Sequence, residues 1–132
     1  MAIKRTTYDA RLEADGLARL RAAGAPVPGV LRVGRSEIVM EWVAGTPRWE
    51  ELGATLVTVH RATSEAFGYD LDNVIGSLPQ RNSWMESWGE FFVANRVVVH
   101  LDDAAVPDHL RLRLLAASDG PLQGLLEEHN PV

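Results

Sequence analysis

The 132-residue chain contains no cysteine, which excludes a disulfide framework and thiolate metal sites and suits a reducing compartment. It is also short of positive charge: 13 Lys and Arg stand against 18 Asp and Glu, for a net charge of -5. Nucleic acid and anionic lipid are recognised by clustered Lys and Arg, and the basic runs here are short, such as Lys4-Arg5 and Arg111-Leu112-Arg113. Both read as solvated faces, so neither partner is expected. The opening "MAIKRTTYDARLE" turns charged within four residues and cannot supply the apolar core of a signal peptide. No stretch approaches the ~20 apolar residues of a membrane span. The chain reads as soluble and cytoplasmic.

Several catalytic signatures are missing as well. There is no G-x-x-x-x-G-K-[ST] loop, nucleophile elbow, G-x-G-x-x-G or H-E-x-x-H. His100, His109 and His129 lack partners at metal-ligand spacing, so the chain is expected to build no metal site. His60 lies on or beside an apolar helix face, where a lone histidine is ordinarily a core or boundary residue.

What is present is enough to fold, since 46% of the residues are hydrophobic, as in a globular domain or a piece of one. Residues 2–5 suggest a short strand. From Asp9 to Ala23 the leucines Leu12, Leu17 and Leu20 fall near helical spacing, with Gly24 placed as terminator. "VLRVG" and "EIVMEWV" are β-branched runs separated by Arg35-Ser36, which predicts an antiparallel hairpin with Gly34 in the turn. Thr46 is then the expected N-cap of a helix with Pro47 in its first position. Trp49, Leu52, Leu56 and Val59 form its apolar face, running to about Ala66.

"FGYDLDNVIGSLPQRN" has no helical period and reads as an ordered loop. Ser83 and Glu86 make an S-x-x-E capping box. The helix it predicts runs to about Ala105, with Trp88, Phe91, Phe92, Asn95 and Val98/Val99 on one face. Pro107 restarts a helix through Ala117, Asp119-Gly120-Pro121 breaks it, and "LQGLLEEH" closes the series. Strands first and helices after predict an α+β arrangement.

Two places carry possible chemistry. A lysine on a strand, steadied by a glutamate on a helix, can hold nucleotide phosphates, and Lys4 with Glu13 has that form; the ordinary alternative is a surface lysine. "VMEWVAG" ends the hairpin where the hinge of a two-lobed kinase would present backbone groups of Glu41, Trp42 and Val43 to adenine; the alternative is a buried strand ending in a turn. Gln80, Asn82 and Trp84, ahead of the aromatic helix face, are low-ranked candidates for substrate contact.

Taken in order, "LEADGLARLRAAGAPVPGVLRVG", "IVMEWV", "LGATLVTVHRA" and "FGYDLDNVIGSLPQRNSWMESWGEFFVANRV" resemble the fructosamine kinase (ketosamine 3-kinase) family. The most specific part is Phe67-Gly68 with Asn73, Ile75-Gly76, Gln80, Asn82, Trp88, Phe91-Phe92 and Arg96. The resemblance implies a protein-kinase-like fold and transfer of a phosphoryl group from ATP, with Mg2+, to the sugar hydroxyl of a free or protein-bound ketosamine. It makes Lys4 the phosphate lysine, Glu13 its partner and Glu41 to Val43 the hinge.

The family's glycine-rich loop and its His-Gly-Asp-Leu-Trp catalytic loop are not found in the sequence, so no catalytic residue is assigned. The expectation is a truncated kinase-like fold: residues 1–45 as a partial N-terminal lobe with a small antiparallel sheet and an αC-type helix, and 46–132 as a partial helical C-terminal lobe. The chain by itself is expected to be inactive and prone to self-association through an exposed sheet edge. A non-catalytic helical interaction module, or a phosphotransferase-like kinase for aminoglycoside or choline-type substrates, remains as an alternative.

Overall fold

The computed structural model describes residues 1–46, 48–101 and 105–128. Contacts within the chain divide it into two units, Met1–Thr63 and Ser64–Val132.

The first unit is built on strands β1 (Ala2–Arg5), β2 (Val30–Val33) and β3 (Glu37–Met40) with helices α1 (Arg11–Ala22) and α2 (Trp49–His60). The strands form an antiparallel sheet in the order β1-β3-β2. Ile38 lies opposite both Lys4 and Val33 in the central strand and is fully buried. The β2–β3 turn closes where the Gly34 N–H donates to the Glu37 carbonyl at 2.8 Å. The same turn anchors the helix, because the N–H of the buried Ala10 donates to the Arg35 carbonyl at 2.8 Å.

Helix α1 starts at Arg11 with Ala10 as its N-cap, and ends at a glycine, as its sequence suggests. Asp9 accepts from the Arg11 N–H at 3.1 Å and grips the Arg11 guanidinium, which holds its carboxyl down at about 2. At the other end the Gly24 N–H donates to the Arg21 carbonyl and the Ala25 N–H to the Leu20 carbonyl, a Schellman closure. Gly24 sits at φ 93°, a conformation that a side chain disfavours.

Helix α2 departs from expectation at both ends. Its N-cap is Arg48, extended at φ -118°, rather than Thr46; Arg48 also pairs with Glu51 at 2.8 Å, which favours a start there. The placement of Pro47 lies outside the described residues. The helix stops at His60 instead of Ala66, because Phe67 is drawn into extended backbone pairing with Met85, N–H to carbonyl in both directions at 2.8 Å.

The second unit holds strands β4 (Asn73–Ile75) and β5 (Leu78–Gln80) and helices α3 (Trp88–Phe92), α4 (Asp108–Ser118) and α5 (Pro121–Glu128). The segment read as a loop therefore contains an antiparallel hairpin. Ile75 pairs with Leu78 across the two-residue turn Gly76-Ser77, and Gly76 has φ 62°, as tight hairpin turns of the primed types require.

The aromatic helix begins one turn later than its first S-x-x-E signature. Ser87, not Ser83, is the N-cap and accepts from the Glu90 N–H at 3.1 Å; the Met85–Phe67 pairing keeps the preceding residues extended. Nor is it one long α-helix. After Phe92 the path widens to a π-helical turn over Val93–Val97 and tightens to a 3-10 turn over Val98–His100. Trp88 nevertheless meets Phe67, Phe91 and Phe92, with ring centroids 5.4 to 5.8 Å apart. Among the described residues of this unit, Phe91, Val93 and Leu101 are the buried large apolar ones.

Candidate functional site

In the first unit the sheet and α1 bring Lys4 and Glu13 together. Lys4 leaves β1 two positions along from Ala2, Glu13 rises from the first turn of α1, and Lys4 Nζ lies 2.7 Å from Glu13 Oε2. The Tyr8 hydroxyl donates to the same oxygen at 3.0 Å. One carboxylate oxygen is thus held from two sides, which fixes the orientation of the ammonium partner. The Lys4 side chain remains 51% exposed. The Glu13 hydrogen bond raises the Lys4 pKa above its ordinary 10.5, outweighing the opposing effect of burial. A permanently charged, oriented and open ammonium group suits an anionic ligand.

Glu41, Trp42 and Val43 follow β3 at the sheet end where Ala2 pairs with Met40. Lys4 lies about 7 Å away along β1, two residues at strand rise. Glu41 is engaged twice with Gly29: its N–H donates to the Gly29 carbonyl at 2.8 Å, and its carboxylate accepts from the Gly29 N–H at 2.9 Å. Trp42 and Val43 are each 70% exposed. Neither makes a hydrogen bond among the described residues, so their backbone groups are open.

The three low-ranked residues lie in the second unit and differ from one another. Asn82 is 3% exposed and occupied by the fold: its N–H donates to Asp72 Oδ1 at 2.9 Å, its amide to the Leu71 carbonyl at 3.0 Å and Asn73 Oδ1 at 3.1 Å. Its own Oδ1 accepts from Arg96 at 2.6 Å. Trp84 donates through Nε1 to Asp70 Oδ1 at 3.2 Å and packs on Gly68 so closely that a Cβ there would fall 2.8 Å from the Trp84 Cα. Gln80, at the end of β5, makes no side-chain hydrogen bond among the described residues.

Sequence reasoning assigned no role to the partners that complete both arrangements, Tyr8 and Arg96. Tyr8 lies outside the helix that carries Glu13. Arg96 also donates to the Arg81 carbonyl at 2.6 Å and lies over the Phe91 ring at 5.0 Å. Desolvation lowers its pKa. Its 14-residue separation from Asn82 follows no local period. His60 closes α2 in an exposed position. Among the described residues no group of three or more His, Asp or Glu could hold a metal ion.

The family model for fructosamine kinase matches residues 3–129. The chain belongs to the fructosamine kinase family. The match runs through the Lys4–Glu13 pair and the Asn82–Arg96 network alike. A protein-ribulosamine 3-kinase of Arabidopsis thaliana chloroplasts is 40% identical over 74 residues, 52% of this chain and 23% of that protein. A probable ketoamine kinase of Escherichia coli is 31% identical over an alignment covering 86% of this chain and 46% of its own length. A crystal structure described as a fructosamine-3-kinase from Thermobifida fusca superposes with a TM-score of 0.74 at 30% identity, covering 89% of this chain and 46% of that one. The α+β arrangement with a small antiparallel sheet is thus that of a fructosamine kinase. The chain spans less than half the length of these relatives. No helix among the described residues is long and apolar enough to cross a membrane.

Proposed function

We propose that the chain supplies the nucleotide-anchoring part, and a portion of the acceptor part, of a cytoplasmic ATP-dependent kinase that phosphorylates a sugar hydroxyl of ketosamines. The observation that carries this reading is the 2.7 Å contact between Lys4 Nζ and Glu13 Oε2. Phosphoryl transfer relies on positioning and on stabilising charge at the phosphates, and a strand lysine locked by a helix glutamate does the first part of that work. Lys4 meets the nucleotide phosphates, Glu13 holds it in place, and the open backbone of Trp42 and Val43 takes the adenine edge.

Magnesium enters with the nucleotide, bridging its phosphates. The family's His-Gly-Asp-Leu-Trp catalytic loop is not found in the sequence. The 132-residue chain by itself therefore binds nucleotide without turning it over. Residues 1–45 act as the partial N-terminal lobe and 46–132 as the partial helical lobe. Gln80 is free to contact the acceptor, whereas the side chains of Asn82 and Trp84 already hold the fold around it.

Calorimetric titration with ATP tests the reading. Measurable affinity that falls about tenfold in Lys4→Ala, the loss of one charge-assisted contact, supports it. No heat with either protein favours the non-catalytic interaction module.

A further inference from the structure

We propose that the outward stripe of helix α2 is a dimerisation surface, occupied by α2 of a second copy of this chain packed antiparallel about a two-fold axis. The proposal is independent of the nucleotide and acceptor readings above. Helix α2 buries none of its residues, yet it carries apolar side chains on more than one side. Thr55 and Val59 are half-buried, toward Leu20 and Val27. The outward side is more open: Trp49, Leu56 and Val57 are 73%, 48% and 52% exposed. With Gly53 and His60 they recur at three- and four-residue steps, which makes one continuous stripe. A helix that is apolar on all sides is ordinarily enclosed, so this stripe calls for a partner.

A second copy is favoured because the stripe complements itself. In an antiparallel register centred between Ala54 and Thr55, Trp49 of one copy faces His60 of the other, and Gly53 faces Leu56. No atom lies within 4 Å of the point that a Cβ on Gly53 would occupy, so the glycine leaves a notch for the opposing leucine. Charge points the same way. Glu50 at the start of α2 and Arg61 just past its end lie three turns apart on the same flank. Both are exposed, and neither makes an ion pair among the described residues, whereas Glu51 is engaged by Arg48 at 2.8 Å. Antiparallel packing sets Glu50 of each copy beside Arg61 of the other, twice by symmetry, and opposes the two helix dipoles. Parallel packing would set Glu50 against Glu50.

The edges of the sheet are poorer seats for a second copy. Strand β1 carries Lys4 and Arg5, and the β2–β3 register shifts between Val30 and Arg32; edge charges and bulges both discourage strand addition. A 12-residue helix is about 18 Å long, and a pair of them buries less than the roughly 1,200 Å² of a stable complex. The dimer is therefore a weak one that dilution separates.

The test is sedimentation velocity on the full 132-residue chain from about 1 to 300 µM, the range in which a weak dimer dissociates. The expected result is monomer at the low end and dimer, with no larger species, at the high end. Val57→Glu places a charge in the stripe and is expected to leave monomer throughout, with unchanged circular dichroism. Glu50→Arg and Arg61→Glu are each expected to weaken association roughly fivefold, because each spoils two exposed ion pairs. Combining them is expected to restore it, a readout that stands even if Val57→Glu disturbs the helix. Ile3→Lys, at the exposed β1 edge, is expected to leave the dimer intact. Monomer at every concentration, a dimer that survives Val57→Glu, no recovery in the combined charge exchange, or a dimer lost in Ile3→Lys would overturn the proposal.

Discussion

The two units hold their key side chains in opposite ways. In the first, Lys4 and Glu13 meet at a surface, and neither α1 nor α2 buries a single residue. In the second, Asn82 and Arg96 are tied to loops and helix through a desolvated network, with Asn82 and Asn95 both buried. An exposed ion pair contributes little to stability because water competes for both charges. A buried amide contributes through the penalty for leaving its partners unpaired. The first arrangement leaves a charge free to meet a ligand; the second gives up that freedom to fix a shape.

The sharpest way to break this contrast is Arg96→Ala. It strips a donor from Asn82 Oδ1 and the Arg81 carbonyl together and is expected to cost about 3 kcal/mol in chemical denaturation; a loss below about 1 kcal/mol would make the network incidental. Next comes the cap. Ser87→Ala removes the side-chain acceptor of α3 and should cost about 1 kcal/mol, while Ser83→Ala should stay within roughly 0.5 kcal/mol of wild type.

Acid titration gives a smaller effect. Glu127 accepts from the Ser87 hydroxyl and from the Gly89 N–H at 2.6 Å, which lowers its pKa below its ordinary 4.5. A depressed carboxyl contributes stability above its unfolded value and loses it as pH falls through the folded one. Stability of the α3–α5 contact should thus decline below pH 4.5, and Glu127→Gln should flatten that decline; an identical profile would remove Glu127 from the account. The stability effect of Lys4→Ala is also small, expected under about 1 kcal/mol because the lysine is half exposed.

Where the chain follows one local rule, its sequence declares the outcome. Gly24 ends α1, and the Val/Ile runs pair as β2 and β3. Lys4 and Glu13 were legible as a pair because strand and helix each place one residue. Where two local signals compete, a distant contact chooses. "SWMESWGE" contains S-x-x-E twice, and the Phe67–Met85 bridge, 18 residues apart in sequence, selects the second. The β4–β5 hairpin was obscured by Pro79, which cannot donate to a ladder but sits here in a two-stranded sheet. The Asn82–Arg96 contact has no local signature, and the π-helical turn that presents Arg96 breaks the periodicity by which its face would be read.

The measurement that reaches the central claim most directly is ATP affinity across a double-mutant cycle of Lys4→Ala and Glu13→Gln. If Glu13 acts by holding Lys4 for the phosphates, each single change weakens ATP binding and the double change is little worse than Lys4→Ala alone. Fully additive losses, or ATP affinity indifferent to both substitutions, would contradict the account.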